Sequence, residues 1–295
     1  MSDAVGLDFG QSQCRLAYWD KGQPIVLTEA THLSQVWLHF ETPRVPRATE
    51  KLSQSIKDVA VDLKSNLGNS QQVLLGHQQW DVSDLATMVM KAVKEDGENI
   101  LRHSMKRALV VVPAYASESQ RNAIRRAAQK AGFVDVRLIS ETLAAVITAH
   151  NKSGEDGWYL VYHFGAGAFE ASVISVEGPR YTVASIVGDR GLRGDFLDRQ
   201  AARFIVEEVN RKQISIPRSQ TWDASLMQHA ISIKVELTKR ERAERIIPRI
   251  GKTSQGRLAD LEFVIERSEF EHRIHAYIAR TFQLVQSAIT EASIS

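Results

Sequence analysis

The chain lacks the features that mark several specialised protein classes. Among its 295 residues Cys14 is the only cysteine, which excludes an internal disulfide bond and a cysteine-rich zinc site. No stretch approaches the roughly 18 apolar residues of a membrane-spanning helix, so we expect no membrane partner. The formal net charge is only +2, which gives no reason to expect a nucleic-acid partner. The nine histidines contain no His-x-His or His-x-x-x-His pair, so no transition-metal site is predicted.

The N-terminal residues do not resemble a signal peptide, because Asp3 and Asp8 flank a very short apolar run. We therefore expect a cytoplasmic protein. Hydrophobic residues make up 43% of the chain and charged residues 24%, as in ordinary globular proteins, and the length allows two lobes. A polar, glycine-containing segment at 151–157 is the best linker. It predicts an N-terminal lobe over 1–152 and a C-terminal lobe over 153–295.

Two glycine-punctuated turns stand out, at residues 6–12 (GLDFGQS) and 160–170 (LVYHFGAGAFE). Apolar residues lead into the glycines of each turn, and a β-rich run follows at 15–19 and at 171–176. This pattern is typical of a hairpin whose turn presents backbone N–H groups, which can cradle a phosphate where glycine allows close approach. One such turn in each half of the chain suggests a phosphate held between two lobes.

Three further segments follow in order: 112–121 (VPAYASESQR), 131–145 (AGFVDVRLISETLAA) and 188–194 (GDRGLRG). Together with the two turns they resemble the nucleotide-binding domain of DnaK-type heat-shock chaperones, in the actin-like ATPase superfamily. The resemblance covers nearly the whole chain. It implies an α/β, two-lobed actin-like ATPase (ribonuclease H-like) fold with a nucleotide in the cleft, and ATP or ADP with Mg²⁺ as the cofactor.

The resemblance also implies roles for single residues. Asp8 and Glu141 match acids near the magnesium ion and its waters, and Lys64 resembles the lysine that positions the attacking water; these three would be catalytic in an active enzyme. The remaining matches are to nucleotide-contacting positions: Gly10, Gln11, Ser12, Gly165, Ala166, Gly167, Ala168, Gly188, Gly194 and Lys234.

Several positions depart from the family pattern. Gln11 and Ala168 replace threonines, and His163 replaces an aspartate expected beside the metal, where an imidazole suits Mg²⁺ poorly. Within 231–235 only Lys234 survives of the adenosine-binding helix motif. The family's last glycine-rich motif would follow the final helix, and the chain ends at Ser295 before it. We therefore expect an incomplete second lobe, weak nucleotide binding and no ATP hydrolysis.

Structural interpretations of the same residues stay open. Asp8 also fits the role of a residue that caps its turn, and Lys64 that of an exposed lysine on a helix. Glu141 fits an acid in the first turn of a helix, where a negative charge is favourable. His163 fits a hydrogen-bonded histidine at a strand end better than a metal ligand.

Three functions compete at this point. The leading hypothesis is a degenerate, non-hydrolysing binding, regulatory or scaffold module, with a protein partner or self-association. The alternative is a functional ATP-binding and ATP-hydrolysing domain, completed by a longer chain or a partner. The third is a sugar or acid kinase of the same superfamily, for which no sugar-binding signature stands out.

Hydrophobic periodicity predicts helices at 50–68 with Gly68 at its end, 83–102 capped by Ser83, 117–131 with Ser117 or Glu118 near its cap, 195–211, 223–245, and 268–292 with Ser268 and Glu271 as a capping box. Strands are predicted at 108–112, 158–164, 169–176, 181–187 and 261–266. The last helix carries an apolar stripe that needs a surface to bury it: Phe270, Ile274, Ile278, Phe282, Val285 and Ile289.

Overall fold

The computed structural model describes residues 4–10, 13–31, 63–69, 72–75, 78–165, 167–216 and 220–294. The chain forms two compact units. The first comprises Met1–Ala166, Glu170–Gly188 and Ser287–Ser295, and the second comprises Gly167–Phe169 and Asp189–Gln286. The boundary between an N-terminal and a C-terminal lobe at 152/153 stays a prediction. None of the described helices is long and apolar enough to cross a membrane.

The elements alternate between strands and helices, and the predicted α/β class is confirmed. The strands are β1 (Ala4–Phe9), β2 (Gln13–Asp20), β3 (Gln23–Thr31), β4 (Gln72–Leu75), β5 (Gln78–Asp81), β6 (Arg107–Val112), β7 (Asp135–Ser140), β8 (Gly157–Phe164), β9 (Phe169–Glu177), β10 (Arg180–Asp189), β11 (Arg242–Lys252) and β12 (Leu258–Glu266). The helices are α1 (Leu63–Asn66), α2 (Val82–Leu101), α3 (Glu118–Lys130), α4 (Glu141–Ser153), α5 (Gly194–Arg211), α6 (Gln220–Leu237) and α7 (Arg267–Glu291).

A five-stranded sheet in the order β3-β2-β1-β6-β7 is the centre of the first unit. β1 runs antiparallel to β2 and parallel to β6, and β6 runs parallel to β7. Alternate residues of β1 are buried, as expected for a strand with one face against a core. That core joins the sheet to α2 and α3, and its largest buried side chains include Leu7, Leu16, Leu85, Met90 and Ile124.

Local sequence signals predicted the N-terminal cap of one helix correctly and that of another wrongly. Ser117 caps α3 as predicted: its hydroxyl accepts from the Gln120 N–H at 3.2 Å, and the Gln120 side chain accepts from the Ser117 N–H at 3.2 Å. The predicted cap of α2 was wrong. Asp81 caps this helix and accepts from the Ser83 N–H at 2.7 Å, because a carboxylate two residues earlier reaches the same free N–H groups.

A second sheet of the first unit has the order β10-β9-β8, and all three strands were predicted. The α4 residue Val146 packs against Ile174 and Val176 of β9. At the other end of α4, the His150 ring nitrogens lie 2.8 Å from the Tyr181 hydroxyl and 3.2 Å from Asp156 Oδ1. The helix is therefore attached to this sheet by apolar packing and by polar contacts.

The second unit contains α5, α6, the antiparallel ribbon β11–β12 and most of α7, and its core includes Ile205, Ile233 and Phe263. The predicted helix at 223–245 was wrong beyond Leu237, since 242–245 belong to β11. The charge pattern there fits a helix, but pairing with β12 determines the conformation.

The last helix differs from its prediction in two respects. It begins at Arg267, and the Glu269 carboxylate accepts from the Glu266 N–H at 3.0 Å, so the predicted capping box of Ser268 and Glu271 was wrong by two residues. The predicted stripe is not buried within the chain at Phe282, which is 63% exposed, and its burial in another chain stays a prediction. Thr281 is buried instead, because its hydroxyl donates to the Ile278 carbonyl at 2.6 Å and needs no water.

Gly68 follows α1 with φ of +85°, in the left-handed conformation expected at a helix end. A Cβ added at Gly68 would lie 2.8 Å from the Gln120 nitrogen and 2.9 Å from the Ser119 carbonyl carbon. The Ser119 hydroxyl also donates to the Gly68 carbonyl at 2.8 Å. This glycine therefore allows the end of α1 to dock against the first turn of α3. The rest of the predicted helix at 50–68 lies outside the described residues.

We predict that Gly68→Ala lowers the free energy of unfolding by roughly 2–4 kcal/mol, because strain at positive φ adds to an overlap with backbone atoms. Gly154→Ala is the matched control. Gly154 has φ of +69° but no atom within 4 Å of an added Cβ, so its loss should be about 1 kcal/mol. Urea denaturation measures both variants, and equal losses would contradict the proposed close approach.

Candidate functional site

The candidate site lies at one edge of the five-stranded sheet. Asp8 pairs with Val111 of β6, and Val112 pairs with Ser140 of β7. Since β1, β6 and β7 are parallel, their carboxyl ends meet at the same edge, and the residues that follow β6 and β7 are brought beside Asp8. This is the edge at which open α/β sheets usually bind ligands.

Glu141 occupies the first position of α4. Ser140 caps the helix and accepts from the Leu143 N–H at 3.2 Å, and a negative charge in this first turn is favoured by the helix dipole. Both carboxylate oxygens of Glu141 have nitrogen partners: Lys64 Nζ donates to Oε1, and His163 Nε2 lies 2.9 Å from Oε2. The structural interpretations of Glu141 as a helix-start acid and of His163 as a hydrogen-bonded strand-end residue therefore agree with the geometry.

Lys64 is buried, with only 8% of its side chain exposed. The interpretation of Lys64 as an exposed helix lysine was wrong, because α1 docks at Gly68 against α3 and Lys64 reaches Glu141. Its proposed catalytic role stays a prediction.

The charges at this site shift each other's pKa values. Burial acts to raise the pKa of Glu141, but the His163 hydrogen bond and the Lys64 charge outweigh it and lower the pKa to about 2. The hydrogen bond to Glu141 raises the pKa of His163, although burial opposes it. Burial raises the pKa of Asp8, against the attraction of Lys64. The geometry therefore favours an ionised Glu141 between Lys64 and His163.

Two residues of this neighbourhood were missed from the sequence. Glu170, at the start of β9, is completely buried, and its carboxylate accepts from the Ala114 N–H at 3.1 Å and from the Ser172 hydroxyl at 3.3 Å. Burial raises the pKa of Glu170. Arg121 donates to the Ala114 carbonyl at 2.9 Å. Glu170 and Arg121 thus hold the turn after β6 from two sides, and the only sequence signal was their position inside the family-like segments.

The donor set of the described site suits a hydrated magnesium ion poorly, because the imidazole of His163 stands where the resemblance implies an aspartate. Both oxygens of Glu141 also have nitrogen partners, so a metal-bound water would have to share these oxygens with Lys64 and His163. Within the described ranges no group of three or more His, Cys, Asp or Glu side chains could hold a metal ion.

The remaining predicted residues are distributed differently. Gln11, Ser12 and Ala166 lie outside the described residues. Gly10 follows β1, Gly165 follows β8, Gly167 and the buried Ala168 precede β9, Gly188 lies on β10, and Gly194 begins α5. In the second unit Lys234 Nζ lies 2.6 Å from Asp198 Oδ1, so this lysine of the adenosine motif is paired with an acid of α5.

The glycine turn at 188–194 is held in place by Tyr277 of α7. The Tyr277 hydroxyl contacts the Gly191 carbonyl at 2.8 Å and the Arg193 carbonyl at 3.0 Å, and it accepts from the Arg193 N–H. The Tyr277 ring stacks on Phe196, with 4.0 Å between ring centroids. The sequence resemblance contained no signal for this tyrosine.

Comparison with known proteins agrees with the resemblance. A model of the Hsp70 protein family matches residues 39–295. Similar curated proteins, each called "Chaperone protein DnaK", include those of Mycoplasmopsis synoviae strain 53 (25% identical over 296 residues, 99% of this chain and 50% of that protein), Mycoplasmopsis pulmonis strain UAB CTIP (27% over 297 residues, 98% and 49%) and Metamycoplasma hominis (26% over 298 residues, 99% and 50%). The chain spans about half the length of these relatives.

We predict that Glu141→Gln destabilises the protein most between pH 4.5 and 6.5. The lowered pKa of Glu141 gives stability that is complete above its ordinary value of 4.5 and is lost as the pH falls towards about 2. The raised pKa of His163 gives stability that is complete below its ordinary value of 6.5 and is lost at higher pH. A shift of this size corresponds to a loss on the order of 3 kcal/mol.

Urea denaturation across pH measures this difference. Glu95→Gln is the matched control, since Glu95 pairs with Lys91 at 3.8 Å on an exposed helix surface. That pair should be worth about 0.3–0.5 kcal/mol. A deficit of Glu141→Gln that does not vary with pH would show that the carboxylate is not held between two cations.

Proposed function

The chain belongs to the Hsp70 family, and from this premise we propose that it is a degenerate DnaK-type domain that acts as a binding or scaffold module without hydrolysing ATP. The observation that supports the proposal is the engagement of both Glu141 oxygens, by Lys64 and by His163. Lys64 is a cation, the hydrogen bond to Glu141 raises the pKa of His163, and all three side chains are at least partly buried.

Phosphoryl transfer depends on positioning and electrostatics: a metal between phosphate oxygens, a cation near the transferred group and a group that orients water. The waters of a magnesium ion would have to share the Glu141 oxygens with Lys64 and His163. The Lys64 ammonium is oriented by Glu141, which leaves it fewer N–H groups with which to position a water molecule. His163 supplies an imidazole in place of a metal-side aspartate. Two of the three requirements, the metal and the water-orienting group, are therefore weakened by one network.

The nucleotide side of the proposal is supported in the second unit. Lys234, which is all that remains of the adenosine motif, forms an ion pair with Asp198 at 2.6 Å. Binding a nucleotide through this lysine would require breaking that pair. Arg193 replaces a glycine at the third turn and pairs with Asp195, with 2.8 Å between Nε and Oδ1.

The second candidate is a working ATP-binding and ATP-hydrolysing chaperone domain, completed by a longer chain or a partner. Two observations support it: Lys64 and Glu141, which the resemblance assigns to catalysis together with Asp8, form an ion pair, and both charges act on the pKa of Asp8. The family assignment gives no support to a sugar or acid kinase.

For the partner we propose another protein or a second copy of this chain, in keeping with the name of the similar curated proteins, which are chaperones. We propose no nucleic-acid or membrane partner. A cytoplasmic location stays a prediction.

We predict that the purified chain releases phosphate from Mg²⁺-ATP at the background rate in a single-turnover assay. Loss of one electrostatic contact to the transition state costs about 10²–10³ in rate. Glu141→Ala should therefore leave the rate unchanged. Magnesium-dependent release that Glu141→Ala abolishes would reject the proposal and establish the second candidate.

We further predict that millimolar ATP or ADP barely stabilises the chain in a thermal-shift titration. With ligand at or below its dissociation constant the gain is at most about 0.4 kcal/mol. His163→Asp should make Mg²⁺-ADP more stabilising, because it replaces an imidazole with a carboxylate and removes one hydrogen-bond partner of Glu141. His103→Asp, at an exposed histidine, is the matched control and should have no effect. Micromolar binding by the unaltered chain would contradict this prediction.

A further inference from the structure

The end of helix α4 carries a histidine that contacts both a tyrosine and an aspartate. His150 lies in the last turn of α4, and only 15% of its side chain is exposed. Its Nδ1 lies 2.8 Å from the Tyr181 hydroxyl oxygen, and its Nε2 lies 3.2 Å from Asp156 Oδ1. All three residues belong to the first unit. A hydroxyl, an imidazole and a carboxylate in this order form the arrangement by which proteins activate a nucleophile.

The chemistry of the two partners determines where the imidazole proton lies. An ionised carboxylate only accepts hydrogen bonds, so the ring nitrogen beside Asp156 must donate, and Nε2 of His150 carries the proton. In a neutral imidazole the other nitrogen, Nδ1, is then an acceptor. The Tyr181 hydroxyl must therefore donate to Nδ1. The lone pair of a base thus points at the phenol proton.

Both partners of His150 are held in place by contacts of their own. The second oxygen of Asp156 accepts from the Gly178 N–H at 2.9 Å, which ties the carboxylate to the turn between β9 and β10. The Tyr181 ring packs against the apolar cluster between α4 and β9. The Tyr181 and His150 rings meet edge to face, with 5.6 Å between their centroids. The three groups are therefore oriented before a donor binds.

We propose that Tyr181 is a modification site, at which the phenol takes an acyl group from an activated, uncharged ester. His150 Nδ1 removes the phenol proton while the Tyr181 oxygen forms a bond to the carbonyl carbon of the ester. The bond from that carbon to the ester's leaving oxygen breaks, and the leaving group departs with the electron pair. Asp156 stabilises the imidazolium, which then gives its proton to the leaving group or to water. No atom is oxidised or reduced.

The charges around Tyr181 favour an uncharged donor. The segments that the network joins, 151–156 and 177–180, contain three acidic and two basic side chains: Glu155, Asp156, Glu177, Lys152 and Arg180. A phosphoryl donor brings several negative charges and needs cations or a metal at the transferred group. Because the acids here outnumber the bases, an ester carbonyl is the better electrophile for this site.

The chain contains an internal reference for this reaction. The Tyr159 hydroxyl donates to the Glu155 carbonyl at 2.5 Å and lies 3.1 Å from the Ser153 hydroxyl, so its proton is directed at a weakly basic oxygen. An activated and an ordinary phenol can therefore be compared in one sample. The reaction involves neither Glu141 nor a nucleotide, so its test is independent of the proposed function.

The test uses p-nitrophenyl acetate as the donor, and peptide mass spectrometry locates the acetyl groups. We expect Tyr181 to be acetylated about 100-fold or more faster than Tyr159, since a positioned general base contributes about 10²–10⁴ in rate. Hydroxylamine, which cleaves a phenyl ester but not an amide, distinguishes the product from acetylated lysine. The only thiol, Cys14, is completely buried and does not compete. Equal rates at the two tyrosines would overturn the proposal.

His150→Gln removes the base but keeps an amide that can bond to both neighbours. We expect this variant to acetylate Tyr181 about 100-fold or more slowly, with Tyr159 unchanged. Tyr159→Phe is the matched control. It keeps the ring, which meets His150 edge to face at 6.4 Å between centroids, and should leave the Tyr181 rate unaltered. Melting curves show whether each variant is folded. A folded His150→Gln variant that acetylates Tyr181 at the unaltered rate would also contradict the proposal.

Asp156→Asn tests the positioning role of the carboxylate and does not depend on the other variants. The asparagine amide can donate to Nε2 of His150, which moves the imidazole proton to Nδ1 and removes the acceptor for Tyr181. The ¹⁵N spectrum of the imidazole should report this change of tautomer. Acetylation of Tyr181 should slow by about tenfold or more, since loss of this orientation in a buried triad costs about 10⁴. A changed tautomer without a slower rate would show that His150 is not the base.

Discussion

The carboxylate of Glu141, held between Lys64 and His163, is the interaction on which the candidate site depends. Its three members come from α4, α1 and β8, so one side chain joins a short helix, a helix start and a strand end. A buried charge without a partner costs several kcal/mol, and each member is therefore tolerated because the others are present. The position of α1 in turn requires Gly68, which lets it approach α3.

Under the proposed function, the network that stabilises the first unit also weakens two features that a hydrolase needs: metal binding and the positioning of a water molecule. A carboxylate near a metal must direct lone pairs towards the metal or its waters, and active sites often keep such groups incompletely satisfied at a cost in stability. Here the oxygens are satisfied by Lys64 and His163, and Glu170 is satisfied by the Ala114 N–H. In this view the aspartate-to-histidine exchange at His163 moves the site from reactivity towards stability.

Much of the fold could be predicted because its signals are local. The Ser117 cap depends on residues three positions apart, and the strands of the second sheet depend on β-rich runs beside glycine-containing turns. β11 could not be predicted, because its conformation depends on pairing with β12. At the site, the exchange at His163 is visible in the sequence. Its bond to Glu141 is not, since it follows from how β7, α4 and β8 meet in space.

The pairing of β1 with β6 has a consequence for synthesis on the ribosome. β1, β2 and β3 are neighbours in sequence and can associate early, but Ala4 pairs with Arg107, so β1 keeps an unfilled edge until α2 and β6 have emerged. Contacts between residues this far apart slow folding and prolong the exposure of aggregation-prone edges. The nascent N-terminal segment is thus itself the kind of apolar, extended polypeptide that chaperones bind.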